Sequence, residues 1–353
     1  MIWIGFKNIR CSYIPMRNFS DRLLDLIDEL ENPSCGGLDP VIDNIPQHIL
    51  QQAMKESDAK PHENGESAWR ATGRALEIFN QRIIDATLDV FPAYKLQSAY
   101  YEKYREYGIR AFDDTIRYVR SMGRVAITDG KRNDIDRTAR AYADAHLGFV
   151  TLATGVNVPA FDSDALTVNP YLGSDGLRPF IEVCKEFSKG IFVLDKTSNP
   201  SSLELQDLEL AEKHGGRKLY EQIALKMEIL GRDLIGERGY SSLGLVVGAS
   251  GATPEDVKRM AARIRELNPY AIILVPGYGQ QGGTGKDVVP NFNREGYGAI
   301  VNNSSALIFA YMREPYKSLY GPEEFDQAAR ASALAMKDDI TSALKNAEFK
   351  RWL

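Results

Sequence analysis

The chain has 353 residues, with 43 Lys plus Arg against 48 Asp plus Glu, a formal net charge of −5. A surface without a basic excess is a poor partner for nucleic acid, whose non-specific affinity comes from phosphate neutralisation. With 44% hydrophobic and 26% charged residues the composition is that of an ordinary globular protein, which excludes disordered and fibrous classes. Cys11, Cys35 and Cys184 are far apart and odd in number, so neither a disulfide framework nor a zinc ribbon is expected, and a reducing cytoplasm fits best.

The start, MIWIGFKNIRCSYIPM, is apolar but interrupted by Lys7 and Arg10, too short and too charged for a signal sequence or a membrane span. A second start stands at Met16, and residues 1–15 read as a dispensable extension of a domain running over 16–353. An amphipathic helix is expected over Ser20–Glu31. Short β-rich runs follow at Ser34–Asp39, Phe91–Gln97, Arg124–Asp129, Ala165–Asn169, Gly190–Lys196, Leu243–Ala249, Ala271–Val275 and Gly298–Asn302. Helix-period segments lie between them, at Trp69–Val90, Tyr100–Met122, Ile135–Leu147, Leu177–Phe187, Leu208–Ile235 and Pro254–Leu267.

Length alone would allow two domains. Eight strands alternating with helices instead indicate parallel βα units, and runs such as GIFVL and LGLVV are apolar on both faces, as a doubly covered sheet requires. The expected fold is therefore α/β, a (β/α)8 TIM barrel with an N-terminal helix and surface insertions; a doubly wound open sheet is the alternative. The polar stretch Glu56–Glu66 reads as an insertion between the first strand and the next helix.

A parallel barrel carries its chemistry at the C-terminal ends of its strands. There the sequence places Asp39, Lys95 and Gln97, Asp129, the stretch Asp195–Ser198, and Ser250. The sharpest feature is DGKRNDIDRT over 129–138, where Asp129, Lys131 and Asp134 set carboxylate, ammonium and carboxylate within one loop and Lys95 arrives from the neighbouring strand. On spacing alone a solvated ion-pair loop is slightly favoured. PGYGQQGGTGK over 276–286 formally contains GxGxxG but follows the seventh strand, and a Walker A loop fails at Gln280 and Asp287. A glycine-rich phosphate loop remains. The four histidines are scattered, so a metal site is not expected, and GASGA around Ser250 misses the nucleophile elbow at Ala252.

Together, CGGLDP with Asp39, Lys95 before LQSAYYE, DGKRNDIDRT, KTSNP at 196–200 and PGYGQQGG at 276–283 resemble the orotidine 5'-phosphate decarboxylase family, in its longer subfamily. The resemblance covers nearly all of the barrel, from about Phe19 to the last strand, and keeps the family's motif order. It implies a homodimeric barrel that converts orotidine 5'-monophosphate to uridine 5'-monophosphate and CO2 without cofactor or metal. It further implies that Lys131 donates the proton to C6 of the pyrimidine, with Asp129 beside the departing CO2. Lys95 would bridge the charges and contact the ribose, and Asp39 would bind a ribose hydroxyl, with Gln97 next to it. Asp134, Ile135 and Thr138 are similar to residues contributed to the partner's site, Ser198 to a pyrimidine-edge contact, and Pro276 and Gln281 to residues lining the base and holding the phosphate.

One position departs from the pattern. After the eighth strand the family carries a phosphate-gripping arginine in a Ser-Arg pair, and here NNSSALIFA has Ser305 in its place. Loss of a charge-assisted hydrogen bond, about 1.5–3 kcal/mol, would weaken binding or turnover by roughly one to two decades. Arg294 and Arg313 are the nearest cations in sequence, and Gln281, Tyr278 and the N–H groups near Ser304 and Ser305 are the other candidates for the phosphate. Two alternatives stay open: a metal-dependent sugar-phosphate lyase of the same superfamily, and a catalytically weak nucleotide-binding barrel.

Overall fold

A computed structural model describes residues 17–248, 253–279 and 283–353. The extension 1–15, Met16, Ser250 and Gln281 therefore lie outside the described residues. In chain order the elements are α1 (Phe19–Leu30), β1 (Ser34–Gly37), α2 (Gln47–Glu56), α3 (Glu66–Thr87), β2 (Ala93–Gln97), α4 (Ala99–Glu102), α5 (Arg105–Ser121) and β3 (Val125–Arg132). Next come α6 (Asp136–His146), β4 (Phe149–Thr151), β5 (Asn157–Pro159), β6 (Ala165–Val168), α7 (Ser174–Phe187), β7 (Gly190–Lys196), α8 (Leu219–Gly231) and β8 (Ser241–Val247). The chain ends with α9 (Pro254–Leu267), β9 (Ala271–Val275), α10 (Gly285–Val288), β10 (Ala299–Asn303), α11 (Ser305–Ile308) and α12 (Phe325–Asn346).

Strands β1, β2, β3, β6, β7, β8, β9 and β10 form a closed barrel in that order, with β10 returning to pair with β1. Every pairing around it is parallel, for example Lys95 beside Ile127 and Val193 beside Leu245. These are the eight runs expected from the sequence, and β4 with β5 adds an antiparallel hairpin outside the barrel. Alternation along each strand sorts the side chains. Phe192, Ile272, Leu274 and Ile300 fill the interior, while Ile191, Val193, Ile273 and Val301 pack under the helices. All seven residues of β8 are buried, which is why its run LGLVV is apolar on both faces.

The floor of the barrel is closed by α1. Asn18 caps it, its side chain accepting from the Ser20 N–H at 2.9 Å, and Phe19, Leu23, Leu24 and Ile27 form one apolar stripe directed into the interior. Phe19 stands edge-on to Phe192 with ring centroids 5.9 Å apart. Gly190 makes this approach possible, because a Cβ there would lie 2.3 Å from the Phe19 ring. Gly190→Ala is expected to cost about 1–3 kcal/mol through overpacking. A lowered urea midpoint checks this, and an unchanged midpoint would show that the floor yields without strain.

Three segments differ from the sequence reading. The segment Leu208–Ile235 is α-helical only over Leu219–Gly231, with a 3-10 turn over Arg232–Leu234 after it; before it, Glu209 and Lys218 bridge antiparallel around Gly215 and Gly216, both at positive φ, a backbone that ends a helix. Tyr100–Met122 is divided into α4 and α5 at Tyr104, next to Arg105 with φ 56°. Helix α2 precedes the Glu56–Glu66 stretch, which thus connects α2 to α3 rather than strand to helix. Helix α12, unassigned from sequence, packs on α3 and α10 through Ala329, Ala333, Met336 and Ile340.

Candidate active site

The C-terminal ends of the strands form the barrel mouth, and strand alternation decides which charges enter it. Ala93 on β2 and Val125 and Ile127 on β3 point inward, so Lys95 and Asp129, two residues further on, do the same. Cys35 on β1 also points inward, and Asp39 follows past the strand end.

These side chains meet. The Lys95 Nζ donates to Asp129 Oδ2 at 3.0 Å and lies 3.9 Å from Asp39 Oδ1. The Lys131 Nζ donates to Asp129 Oδ1 at 2.7 Å. The result is an unbroken sequence of charges, Asp39, Lys95, Asp129 and Lys131, that sums to zero. Lys95 is almost completely enclosed, with 5% of its side chain exposed, whereas 46% of the Lys131 side chain faces the open mouth. Burial works against the Asp129 carboxylate, but the Lys95 and Lys131 ammonium groups and their hydrogen bonds outweigh it and hold its pKa well below the usual carboxylate range. Burial likewise works against the Lys95 ammonium, and Asp129 and Asp39 overcome it, raising the pKa above that of an ordinary lysine.

Lys131 owes its position to an irregular stretch of β3. The register against β6 shifts between Thr128 and Arg132, and Lys131 sits at φ 45°, a left-handed conformation that costs energy for a residue with a Cβ. Thr167 on β6 holds this arrangement. Its Oγ1 accepts from the Lys131 N–H at 2.9 Å and donates to Asp129 Oδ1 at 2.8 Å, fixing both members of the pair. Sequence reading missed Thr167; the available signal was a polar residue at an inward position of the apolar run ALTV.

Asp134 does not join the array. Its Oδ1 accepts from the adjacent Ile135 N–H at 2.9 Å, and among the described residues it makes no ion pair. After Arg132 the chain turns out toward α6, passing through Asp134 and Ile135 before the helix and Thr138 in its first turn, with Ile135 and Thr138 exposed. Gln97 lies beside the array, its N–H donating to Asp39 Oδ1 at 3.3 Å.

The loop after β7 places Ser198 over Gly248, where a Cβ would come within 2.7 Å of it. Gln206 braces the loop, accepting from the Thr197 N–H at 2.9 Å and donating to the Thr197 hydroxyl at 2.8 Å. Lys196 turns away from the mouth to Asp207, which also binds Lys218. A cavity of about 1160 Å³ lies on this outer side, between that loop, α8 and α9, lined by Lys196, Ser198, Asp207, Lys218, Met260 and Arg263 among others. None of the four charges of the array lines it.

The loops after β9 and β10 touch each other. Pro276 is partly buried, Gly277 and Gly279 have φ of 95° and 75°, and a Cβ on Gly279 would lie 3.6 Å from Ala306. Gly37 admits Ser304 at the rim of β1, since a Cβ there would fall 1.9 Å from the Ser304 hydroxyl. The Tyr278 hydroxyl donates to Asp339 of α12 at 2.8 Å, so it is committed to the scaffold rather than to the mouth. Ser305 accepts a hydrogen bond from Arg313 Nη2 at 3.1 Å. Arg294 belongs to the floor: it precedes β10 and its guanidinium lies over the Phe349 ring, 5.7 Å from the centroid.

Among the described residues no group of three His, Cys, Asp or Glu side chains is gathered in a way that could hold a metal ion. His146 is buried against Phe161, and burial together with Arg132 pushes its pKa down to about 3. No helix among the described residues is long and apolar enough to cross a membrane.

A family model described as the orotidine 5'-phosphate decarboxylase / HUMPS family matches residues 76–310. The chain is 36% identical over 329 residues to orotidine 5'-phosphate decarboxylase of Caldicellulosiruptor saccharolyticus, covering 93% of this chain and 100% of that protein. A crystal structure from Toxoplasma gondii, assigned as an orotidine-monophosphate decarboxylase, superposes with a TM-score of 0.71 at 26% identity over 94% of this chain and 99% of that one. The Leishmania donovani OMP decarboxylase structure gives 0.60 at 26% identity, covering 90% of this chain and 99% of that one.

Proposed function

The chain belongs to the orotidine 5'-phosphate decarboxylase family, and from that premise we propose how its residues carry out the conversion of orotidine 5'-monophosphate to uridine 5'-monophosphate and CO2, a carboxy-lyase reaction of pyrimidine biosynthesis. The observation that supports the assignment is the Asp39, Lys95, Asp129, Lys131 array at the barrel mouth.

In this reaction the bond between C6 and the carboxylate carbon breaks, CO2 leaves as a neutral molecule, and the electron pair stays on C6 with little delocalisation into the ring. The barrier is lowered by positive charge fixed where that pair develops. Lys131 is the ammonium with access to the mouth. It stabilises the developing carbanion, transfers its proton to C6 and is reprotonated from solvent. Asp129, kept ionised by its two ammonium partners, sets negative charge beside the substrate carboxylate, a repulsion relieved when the carboxylate departs as CO2. Lys95 neutralises Asp129 from below, and with Asp39 it forms the edge that meets the ribose. Thr167 is a positioning residue, since it acts through Asp129 and Lys131. Ser198 serves the pyrimidine edge, and Pro276 and Gln281 the base and phosphate.

Incubation of the purified protein with orotidine 5'-monophosphate is expected to abolish the orotate absorbance with release of CO2. A protein that binds the nucleotide without turning it over would be the weak binding barrel instead. Turnover of a sugar phosphate that a chelator abolishes would identify the metal-dependent lyase, against which Lys95 stands, because that chemistry uses a carboxylate in its place.

The active form is a homodimer joined at the rim formed by α6, the β4–β5 hairpin and the loop after β6. Ile135, Tyr142, Leu152, Val156, Tyr171 and Leu172 give this rim an exposed apolar surface. Asp134, Ile135 and Thr138 reach the partner's site from there. Asp134→Ala and Lys131→Ala variants, each inactive alone, should then regain activity on mixing. About one quarter of the wild-type sites are restored, because half the dimers are mixed and each carries one intact site. Absence of recovery after subunit exchange would place Asp134 in its own chain's site. We place the enzyme in the cytoplasm, in keeping with the free, buried thiols of Cys35 and Cys184.

A further inference from the structure

The substrate assigned above carries a phosphate dianion, and phosphates in (β/α)8 barrels are held by the loops after the seventh and eighth barrel strands and a short helix beyond them. In this chain those are the Pro276–Gly279 stretch and Ser304 with α11, which lie against each other. Residue 305, at the start of α11, is a serine and brings no charge to that place.

A cation reaches it from another position. After α11 the chain makes a tight turn over Ala310–Met312, and the Arg313 N–H donates to the Ala310 carbonyl at 2.9 Å. The turn is tied to the β1 side of the rim, where the Tyr311 hydroxyl donates to the Asn44 carbonyl at 2.8 Å. This folds the Arg313 guanidinium back over α11, where Nη2 donates to the Ser305 hydroxyl at 3.1 Å. Arg313 is exposed, and among the described residues no carboxylate forms an ion pair with it. The neighbouring Glu314 is engaged by the Ser318 hydroxyl at 2.7 Å. Lys95 and Lys131, the cations of the array, are already paired with Asp129, and on the outer side Lys196 and Lys218 are paired with Asp207.

We propose that Arg313, oriented by Ser305, is the cation that binds the 5'-phosphate of the substrate. The inference rests on the nucleotide reading of the site. A guanidinium delivered from eight residues downstream supplies the planar pair of donors that matches phosphate oxygens, and the serine hydroxyl, small enough to leave room for it, adds a further hydrogen bond. Binding energy at this remote group then contributes to loop closure and turnover as well as to affinity.

The test compares uridine 5'-monophosphate with uridine as competitive inhibitors of orotidine 5'-monophosphate turnover, in the full chain and in Arg313→Ala, Arg313→Lys and Arg313→Ala/Ser305→Arg. Removal of Arg313 is expected to weaken uridine 5'-monophosphate by about 10- to 100-fold and to leave uridine unchanged. Arg313→Lys should retain part of the affinity, and the added Ser305→Arg should restore it by returning a guanidinium to the same place. Equal weakening of nucleotide and nucleoside, or no weakening of either, would overturn the proposal while leaving the decarboxylase reading intact. Failure of the unmodified protein both to turn over orotidine 5'-monophosphate and to bind uridine 5'-monophosphate would overturn the reading itself, and this inference with it.

Discussion

Lys131→Ala is expected to lower turnover of orotidine 5'-monophosphate by about four decades or more, since it removes both an acid catalyst, typically 10²–10⁴-fold, and the charge that stabilises the carbanion, a further 10²–10³-fold. The same change should hardly affect folding. Nearly half of the Lys131 side chain is solvent exposed, and the Asp129 carboxylate keeps the Lys95 ammonium at 3.0 Å and the Thr167 hydroxyl at 2.8 Å. A loss of rate with an unshifted urea midpoint therefore separates a chemical role from a structural one. Near-normal turnover would transfer the donor role to Lys95, although Lys95 is enclosed and its proton is held by two carboxylates.

Asp129→Ala is expected to damage activity and stability together. It leaves the buried Lys95 ammonium with only Asp39, 3.9 Å away, and breaking a buried pair by deleting one partner costs about 3–5 kcal/mol. The pH dependence gives the sign. In the native protein the Asp129 pKa is depressed, so its stabilising contribution is complete above the ordinary carboxylate value of 3.8 and is lost only as pH falls through the lower folded value. The Lys95 pKa is raised above 10.5, so its contribution is complete below that and fades only as pH rises beyond it. The pair therefore adds no slope near neutrality.

In Asp129→Ala the burial of Lys95 is no longer outweighed, its pKa falls below the unfolded value, and the unfolded state binds more protons than the native one. Stability of the variant should then rise between about pH 7 and pH 9.5, where the wild type shows no such gain from this pair. Denaturant unfolding at the two pH values measures it. A variant with equal stability at both would mean that Asp39 alone keeps Lys95 charged. Lys95→Met combined with Asp129→Leu, which removes both buried charges, should recover most of the lost stability while remaining inactive.

The barrel and the charged residues gathered at its mouth could be read from the chain itself. Eight apolar runs separated by helical periodicity admit few architectures, and the two-residue alternation of a strand carries Lys95 and Asp129 to the same side as the apolar positions before them. Such features depend on local spacing, which a sequence displays directly. Helix α12 shows the same local periodicity in its Ala329, Ala333, Met336 and Ile340 stripe.

What only the tertiary structure decided were relations between segments distant in sequence. Thr167 locks Lys131 to Asp129 because the register of β3 shifts against β6, and no spacing rule foretells that shift. Asp134 leaves the array because the chain turns outward after Arg132, although it stands only three residues from Lys131. Tyr278, a candidate for the mouth, is drawn to Asp339 on the C-terminal helix. The deficit at Ser305 was plain from the residue itself, but of the two arginines flanking it, one lies at the floor over Phe349 and the other returns to the mouth. Side-chain types and local periodicity are properties of short stretches, whereas the partner of a charge depends on which way the backbone leaves each strand, and that is settled only when the barrel closes.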